Sequence, residues 1–159
     1  MESTQQLEIK AGLQVLKPIA EVFEAIVDPD KMKNYFISMS SGYMKEGETL
    51  IWKFPEMDIE FPVRIGKIIK GSYISYHWND FADNTETFVE INLTETEPGI
   101  TLIRVTEKSR PNDKTGMEWL KRNTEGWANF LACLKAWMEY GINLRKGAFT
   151  ISQIPKKEN

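Results

Sequence analysis

Three side chains in this sequence carry chemistry that a catalytic or ligand-holding site could use: His77, Cys133 and Glu107. His77 is the only histidine, and imidazole is the side chain whose charge ordinarily changes near neutral pH. It alternates with Tyr76 and Trp78, however, and successive strand residues point to opposite faces. If the two aromatics face a core, His77 and Ser75 face solvent. Cys133 would need a neighbouring base or cation to become a nucleophile, and no local pattern brings one to it. It reads as a small buried or half-buried hydrophobe. Glu107 is a stronger candidate, because it continues the register of Ile103 and Val105 and so points inward. A carboxylate in an apolar cavity could act as an acid or hold a ligand's amine or hydroxyl. The competing reading is a solvated residue at a strand end, near the mouth of a pocket.

Six aromatics, Trp52, Phe54, Phe61, Tyr76, Trp78 and Trp127, share the expected inner face. Together with Val89, Ile91, Val105, Glu107, Leu131 and Leu134 they form the expected ligand-binding set, converging on one interior space. The same large side chains could instead simply fill a core. There is no glycine-rich phosphate loop, no metal-spaced carboxylate pair and no serine elbow. No catalytic residue, metal ligand or cofactor is therefore assigned. One histidine and one cysteine also exclude a zinc site built from those ligands alone.

These residues must be positioned by elements that the hydrophobic spacing predicts. Leu7, Ile9, Ala11, Leu13 and Val15 alternate as a first strand. Pro18 then opens a helix carrying Ile19, Val22, Phe23 and Ile26, and Asp28-Pro29 caps a second short one with Met32, Tyr35 and Phe36 on one face. From about 38 to 109 the period is two, in runs broken by Glu46-Gly47, Pro55, Lys70-Gly71, Asn79-Asp80 and Pro98-Gly99. Pro62 cannot donate to a ladder and marks an edge or a bulge. Ser109 to Gly116 reads as a loop, with Thr115 and Glu118 as a capping box. A long helix follows to about Lys146, ended by Gly147. Its main stripe is Leu120, Trp127, Leu131, Leu134, Met138 and Ile142. A second apolar flank, Trp119, Cys133, Trp137, Tyr140 and Leu144, either packs internally or meets a second copy of the chain.

The predicted fold class is thus α+β: a curved antiparallel sheet wrapped around a long C-terminal helix, with two short helices after the first strand. The chain of 159 residues is long enough for one domain over 1–159, with about 1–6 and 155–159 as flexible ends. Its net charge is −3, without a basic block, which disfavours nucleic acid as a partner. No apolar run reaches the length of a membrane span. With no signal segment and no disulfide, the expected location is cytoplasmic.

The residues also support a resemblance. The segment Pro18-x-x-x-Val22-Phe23-x-Ala25-Ile26-x-Asp28-Pro29, the aromatics Tyr35-Phe36, Trp78 in the middle strands, and Gly126-Trp127-x-x-x-Leu131-x-x-Leu134-x-x-x-Met138-Glu139 are similar to patterns of the START-like (SRPBCC, helix-grip) superfamily. The branch is the one resembling the C-terminal domain of the activator of the heat-shock-protein-90 ATPase. Gly47-Glu48 departs from it, where paired glycines are common. The resemblance covers nearly the whole chain and implies the fold and a pocket between sheet and helix. It does not imply one function, since such folds serve lipid carriers, receptors, cyclase-like enzymes and chaperone-binding modules. Three readings follow. The first is a binder of a small apolar or amphipathic ligand. The second is a co-chaperone-like interaction module, with a chaperone or a second copy as partner. The third is a cyclase- or hydrolase-type enzyme, for which inward polar groups are scarce.

Overall fold

The computed structural model describes residues 5–150. Its elements are β1 (Gln6–Val15), α1 (Ile19–Val27), α2 (Pro29–Met32), β2 (Met39–Ser40), β3 (Thr49–Lys53), β4 (Glu60–Ile69), β5 (Tyr73–Asn79), β6 (Glu86–Glu97), β7 (Ile100–Pro111) and α3 (Lys114–Tyr140). The expected flexible ends fall largely outside the described residues, and Gln6 already begins β1. The seven strands form one antiparallel sheet in the order β1-β7-β6-β5-β4-β3-β2. Only β1 leaves sequence order, because it returns to pair with β7 and close the far edge. The sheet curves around α3, which packs against β1 and β7.

The period-two pattern sets which faces meet. Leu50, Trp52, Val63, Ile65, Ile74, Tyr76, Val89, Ile91, Ile103 and Val105 all bury inward, and α3 covers them with Trp127, Phe130, Leu131 and Leu134. Pro62 pairs with Ile51 of β3, in a stretch of β4 that has no register with β5. It therefore sits where its missing N–H costs no second ladder. The β4 bulge lies further on, between Ile65 and Ile68. It corrects one expectation: Ser75 is buried, not solvent-facing, because its hydroxyl donates to the Lys67 carbonyl at 2.9 Å. His77 stacks at 4.6 Å on its cross-strand partner Phe88, on the face opposite Trp78.

The ends of α3 differ from the sequence reading in three ways. The segment 109–111 is not loop, since β7 continues to Pro111 through a bulge at Ser109, whose φ is 92°. The cap is Asp113, not Thr115: the Asp113 carboxylate accepts from the Gly116 N–H at 2.8 Å and from the Thr115 hydroxyl at 3.0 Å. Those bonds, led by the backbone N–H of Gly116, hold the Asp113 carboxyl below its usual range. At the other end Gly141 takes φ 67° and its N–H bonds the Ala136 and Trp137 carbonyls. The helix stops there, six residues before Gly147, because a glycine in the left-handed region closes the last turn at no steric cost. Ile142 and Leu144 consequently lie beyond the helix and are exposed, as is Tyr140. Trp119 and Cys133 of the second flank are buried, and Trp137 stacks on Tyr35 at 5.9 Å.

Gly116, in the first turn of α3, sits tightly against the end of β7 and Leu7 of β1. A Cβ built there would lie 2.1 Å from the Pro111 carbonyl oxygen, a backbone atom with little freedom to move. Gly126, on the same helix, has nothing within 4 Å of that position. In chemical denaturation Gly116→Ala is expected to cost roughly 3 kcal/mol by overpacking. Gly126→Ala should gain about 0.5–1 kcal/mol from helix propensity. Equal midpoints for the two variants would contradict this packing.

Candidate functional site

Glu107 lies on the inner face of β7, between Ile9 of β1 and Val89 of β6. Its side chain is fully buried, so the solvated strand-end alternative is corrected. The inner face is otherwise apolar here, and a carboxylate needs a hydrogen-bond donor at each lone-pair position to persist. Four donors supply that. Oε2 accepts from the Trp78 indole at 2.9 Å and the Thr87 hydroxyl at 2.6 Å. Oε1 accepts from the Asn123 amide at 3.0 Å and the Trp127 indole at 2.8 Å. Trp78 comes from β5, Thr87 from β6, and Asn123 and Trp127 from one face of α3, four residues apart. A single group thus joins three strands to the helix.

The arrangement fixes its partners as well. A carboxylate can only accept, so Asn123 turns its Nδ2 towards it and leaves Oδ1 as an acceptor without a donor among the described residues. The two indoles are held edge-on to the carboxylate, their rings 5.6 Å apart and 30° from parallel. The phenol of Tyr76 titrates well above its ordinary range, first because it is buried and second because Glu107 is near.

The same end of the sheet carries a second polar junction. The bulge at Ser109 shifts the alternation of β7 by one residue, and Arg110 turns inward. Its guanidinium donates to Asp80 at 3.2 Å and to Asp83 at 3.0 and 2.7 Å. Arg122 of α3 donates to the same Asp80 oxygen. Burial raises the Asp83 carboxyl, but bonds from Arg110 and Thr85 outweigh it and hold it below the usual range. This network pins the loop between β5 and β6 to the helix, and with it Phe81.

Between that loop, the β3–β4 loop, α3 and the segment after α3 opens a cleft of about 270 Å³. Phe36, Phe54, Trp78, Phe81 and Trp127 form its apolar walls, and Glu107 lies in its lining. Arg145, also in its lining, binds Glu56 through two bonds of 2.6 and 3.0 Å. The Arg145 guanidinium sits over the rings of Phe54 at 5.3 Å, Phe36 at 5.9 Å and Phe149 at 4.8 Å.

Of the expected ligand-binding residues, Phe54, Trp78, Glu107 and Trp127 line this cleft. Trp52, Phe61, Tyr76, Val89, Ile91, Val105, Leu131 and Leu134 are instead packed in the core behind it. Trp52 shows why: its ring meets Phe36, Phe61, Tyr76 and Trp78 edge to face within 6.4 Å, leaving no open side. Sequence reasoning missed Phe81, Glu56, Arg122, Asn123 and Arg145 as site residues. Asn123 had a usable signal, since it precedes Trp127 by one helical turn. Glu56 and Arg145 are 89 positions apart and carried none. Among the described residues, no group of His, Cys, Asp and Glu is arranged to hold a metal. No helix among them is long and apolar enough to cross a membrane.

A curved antiparallel sheet gripping a long C-terminal helix, with an aromatic cleft at one end of the grip, defines a START-like protein. Within that class the chain belongs to the family described as Activator of Hsp90 ATPase homolog 1-like protein, whose profile matches residues 17–139. Among solved structures it is similar to the protein SSP2350 from Staphylococcus saprophyticus, with 31% identity, a TM-score of 0.76, and coverage of 87% of this chain and 96% of that one. It is also similar to the Aha1 dimer from Colwellia psychrerythraea, with 20% identity, a TM-score of 0.72, and coverage of 85% and 98%. A third is DynU16, a putative protein in the dynemicin biosynthetic locus, with 20% identity, a TM-score of 0.75, and coverage of 86% of this chain and 48% of that one. No curated protein matches the chain at a significant level.

Removing the Glu107 carboxylate should strand four donors at once. Glu107→Ala is expected to cost about 3–5 kcal/mol, the scale for emptying a buried hydrogen-bonded charge site. Trp78→Phe deletes one donor to a charged acceptor and should cost about 1.5–3 kcal/mol. Urea midpoints for the two variants would check this, and a Glu107→Ala protein as stable as the parent would refute the junction.

Proposed function

We propose that this protein binds a small apolar or amphipathic ligand in the cleft beside Glu107. The observation that carries the reading is that the aromatic interior is not closed. Behind Trp78 the rings of Trp52, Phe61 and Tyr76 are buried in the core, while a space of about 270 Å³ lined by Trp78 stays open beside the loops. That volume lies just below the usual range of small-molecule sites and suits a small ligand, and its mostly apolar walls with a few fixed polar atoms are the usual composition of one. The Glu56–Arg145 pair, a bidentate ion pair lying on aromatic rings, on this reading closes the cleft over the ligand. On this reading the chain is one START-like domain over 1–159, working in the cytoplasm.

A second reading is favoured by a separate observation. Tyr140, Ile142 and Leu144 are exposed together where α3 ends, and an apolar surface of that kind suits a protein partner. A structural relative is named as a dimer, and the family is named for a chaperone activator. A second copy of the chain is the partner to test first, and a chaperone the next. A cyclase-type reaction has less support, because the buried acids of the cleft are engaged: Glu107 with four donors, Glu56 with Arg145 and Asp80 with Arg110 and Arg122.

Native mass spectrometry of protein purified under gentle conditions should reveal a co-purifying small molecule, and an apo protein that also ignores an apolar dye would count against the reading. Arg145→Ala should speed dye dissociation roughly tenfold, because one stacked and paired guanidinium contributes about 1–2 kcal/mol. Sedimentation at micromolar concentration tests association: a dimer that Tyr140→Ala dissociates supports the second surface, and a monomer in both removes it.

A further inference from the structure

The charges around the cleft do not cancel, and the imbalance bears on what it takes. Its two arginines are committed to acids of their own, Arg145 to Glu56 and Arg122 to Asp80. Glu107 is held by neutral donors alone, and no ion pair among the described residues includes it. Glu125, on the rim, is likewise without a cation there. The floor of the cleft is therefore negative, and a buried charge is little screened by salt. The phenol of Tyr76, which burial and then Glu107 push upward, feels the same sign.

Two further features agree with that sign. The walls are largely aromatic, and the electron-rich faces of such rings attract cations. The protein already uses them so, since the Arg145 guanidinium lies over Phe36 and Phe54. In addition, the carboxylate leaves Asn123 Oδ1 without a donor among the described residues, and Asn123 lines the cleft. That oxygen is an acceptor, ready for an N–H or O–H of a ligand.

We propose, resting on the ligand-binding reading above, that the cleft selects an organic cation: an aromatic body carrying a protonated amine. The amine donates to Asn123 Oδ1, the aromatic body lies among Trp78, Trp127 and the phenylalanines, and the matching carboxylic acid is excluded. Glu107 is a positioning residue here. All its lone pairs are taken, so it acts through its field and by orienting Asn123 and the two indoles.

The test uses three probes with one ring system and different charge: tryptamine, tryptophol and indoleacetate, titrated calorimetrically into the full chain, with the neutral dye Nile red as a control for apolar binding. Tryptamine should bind about tenfold more tightly than indoleacetate, with tryptophol between, as expected for one cation over ring faces beside an unscreened charge. Asn123→Leu should weaken tryptamine and tryptophol and leave indoleacetate unchanged. Glu107→Gln, where it folds, should narrow the spread. If it does not fold, the parent series and Asn123→Leu decide. Indoleacetate binding as tightly as tryptamine overturns the charge selection. Nile red binding with no preference among the three probes overturns it too, while leaving the ligand-binding reading intact. No binding of dye or probes overturns both.

Discussion

Burying a carboxylate without a cation costs several kcal/mol unless every lone pair finds a donor. Glu107 meets that condition with two indoles, an amide and a hydroxyl drawn from β5, β6 and α3. Bonds to a charged acceptor contribute about 1.5–3 kcal/mol each. Four of them are on the scale of the burial cost, provided all four form together. The condition is geometric as much as energetic. It requires the register Val89 opposite Glu107 opposite Ile9, and it requires α3 to present Asn123 and Trp127 to that row and no other. Sliding the helix by one turn would move both donors away together. The carboxylate thus specifies how the helix sits in the sheet, where apolar packing alone would tolerate neighbouring positions.

The cleft follows from the same junction. Trp78 and Trp127, whose N–H edges point at Glu107, also line the cleft, their rings 5.6 Å apart. Because β7 bulges at Ser109, Arg110 turns inward to hold Asp80 and Asp83, and the β5–β6 loop stands off the sheet with Phe81 as a wall. Arg145 and Glu56 pair within the same lining. Trp78, Trp127 and the loop that carries Phe81 are thus held by polar contacts, while Phe36 and Phe54 are held by neighbouring rings.

Much of this was legible in the chain and part of it was not, for reasons that differ by element. Strand alternation is strong wherever one face is wet, so Tyr76 and Trp78 inward and His77 outward could be read directly. Glu107 inward followed from the same count. The count fails at bulges, which insert a residue with no hydrophobic signature, so Ser75 and Arg110 were misplaced or overlooked. Helix ends depend on competition between nearby caps: Asp113 outranks Thr115, whose hydroxyl it also captures, and Gly141 acts before Gly147 is reached. The split of the aromatic set into core and cleft was beyond the sequence, because Trp52 and Phe54 have the same pattern and differ only in the long-range neighbours that surround them. The Arg145 pairing depends on Glu56, distant in the chain, and periodicity holds no trace of it.

The central claim is that Glu107 and the helix donors act as one unit, and a double-mutant cycle between Glu107→Gln and Trp127→Phe tests it most directly. If the junction holds the helix in the sheet, the two substitutions share one loss, and their coupling energy from denaturation should be about 1–3 kcal/mol. Strict additivity, with a coupling near zero in two folded single variants, would contradict the account and leave apolar packing as what places α3.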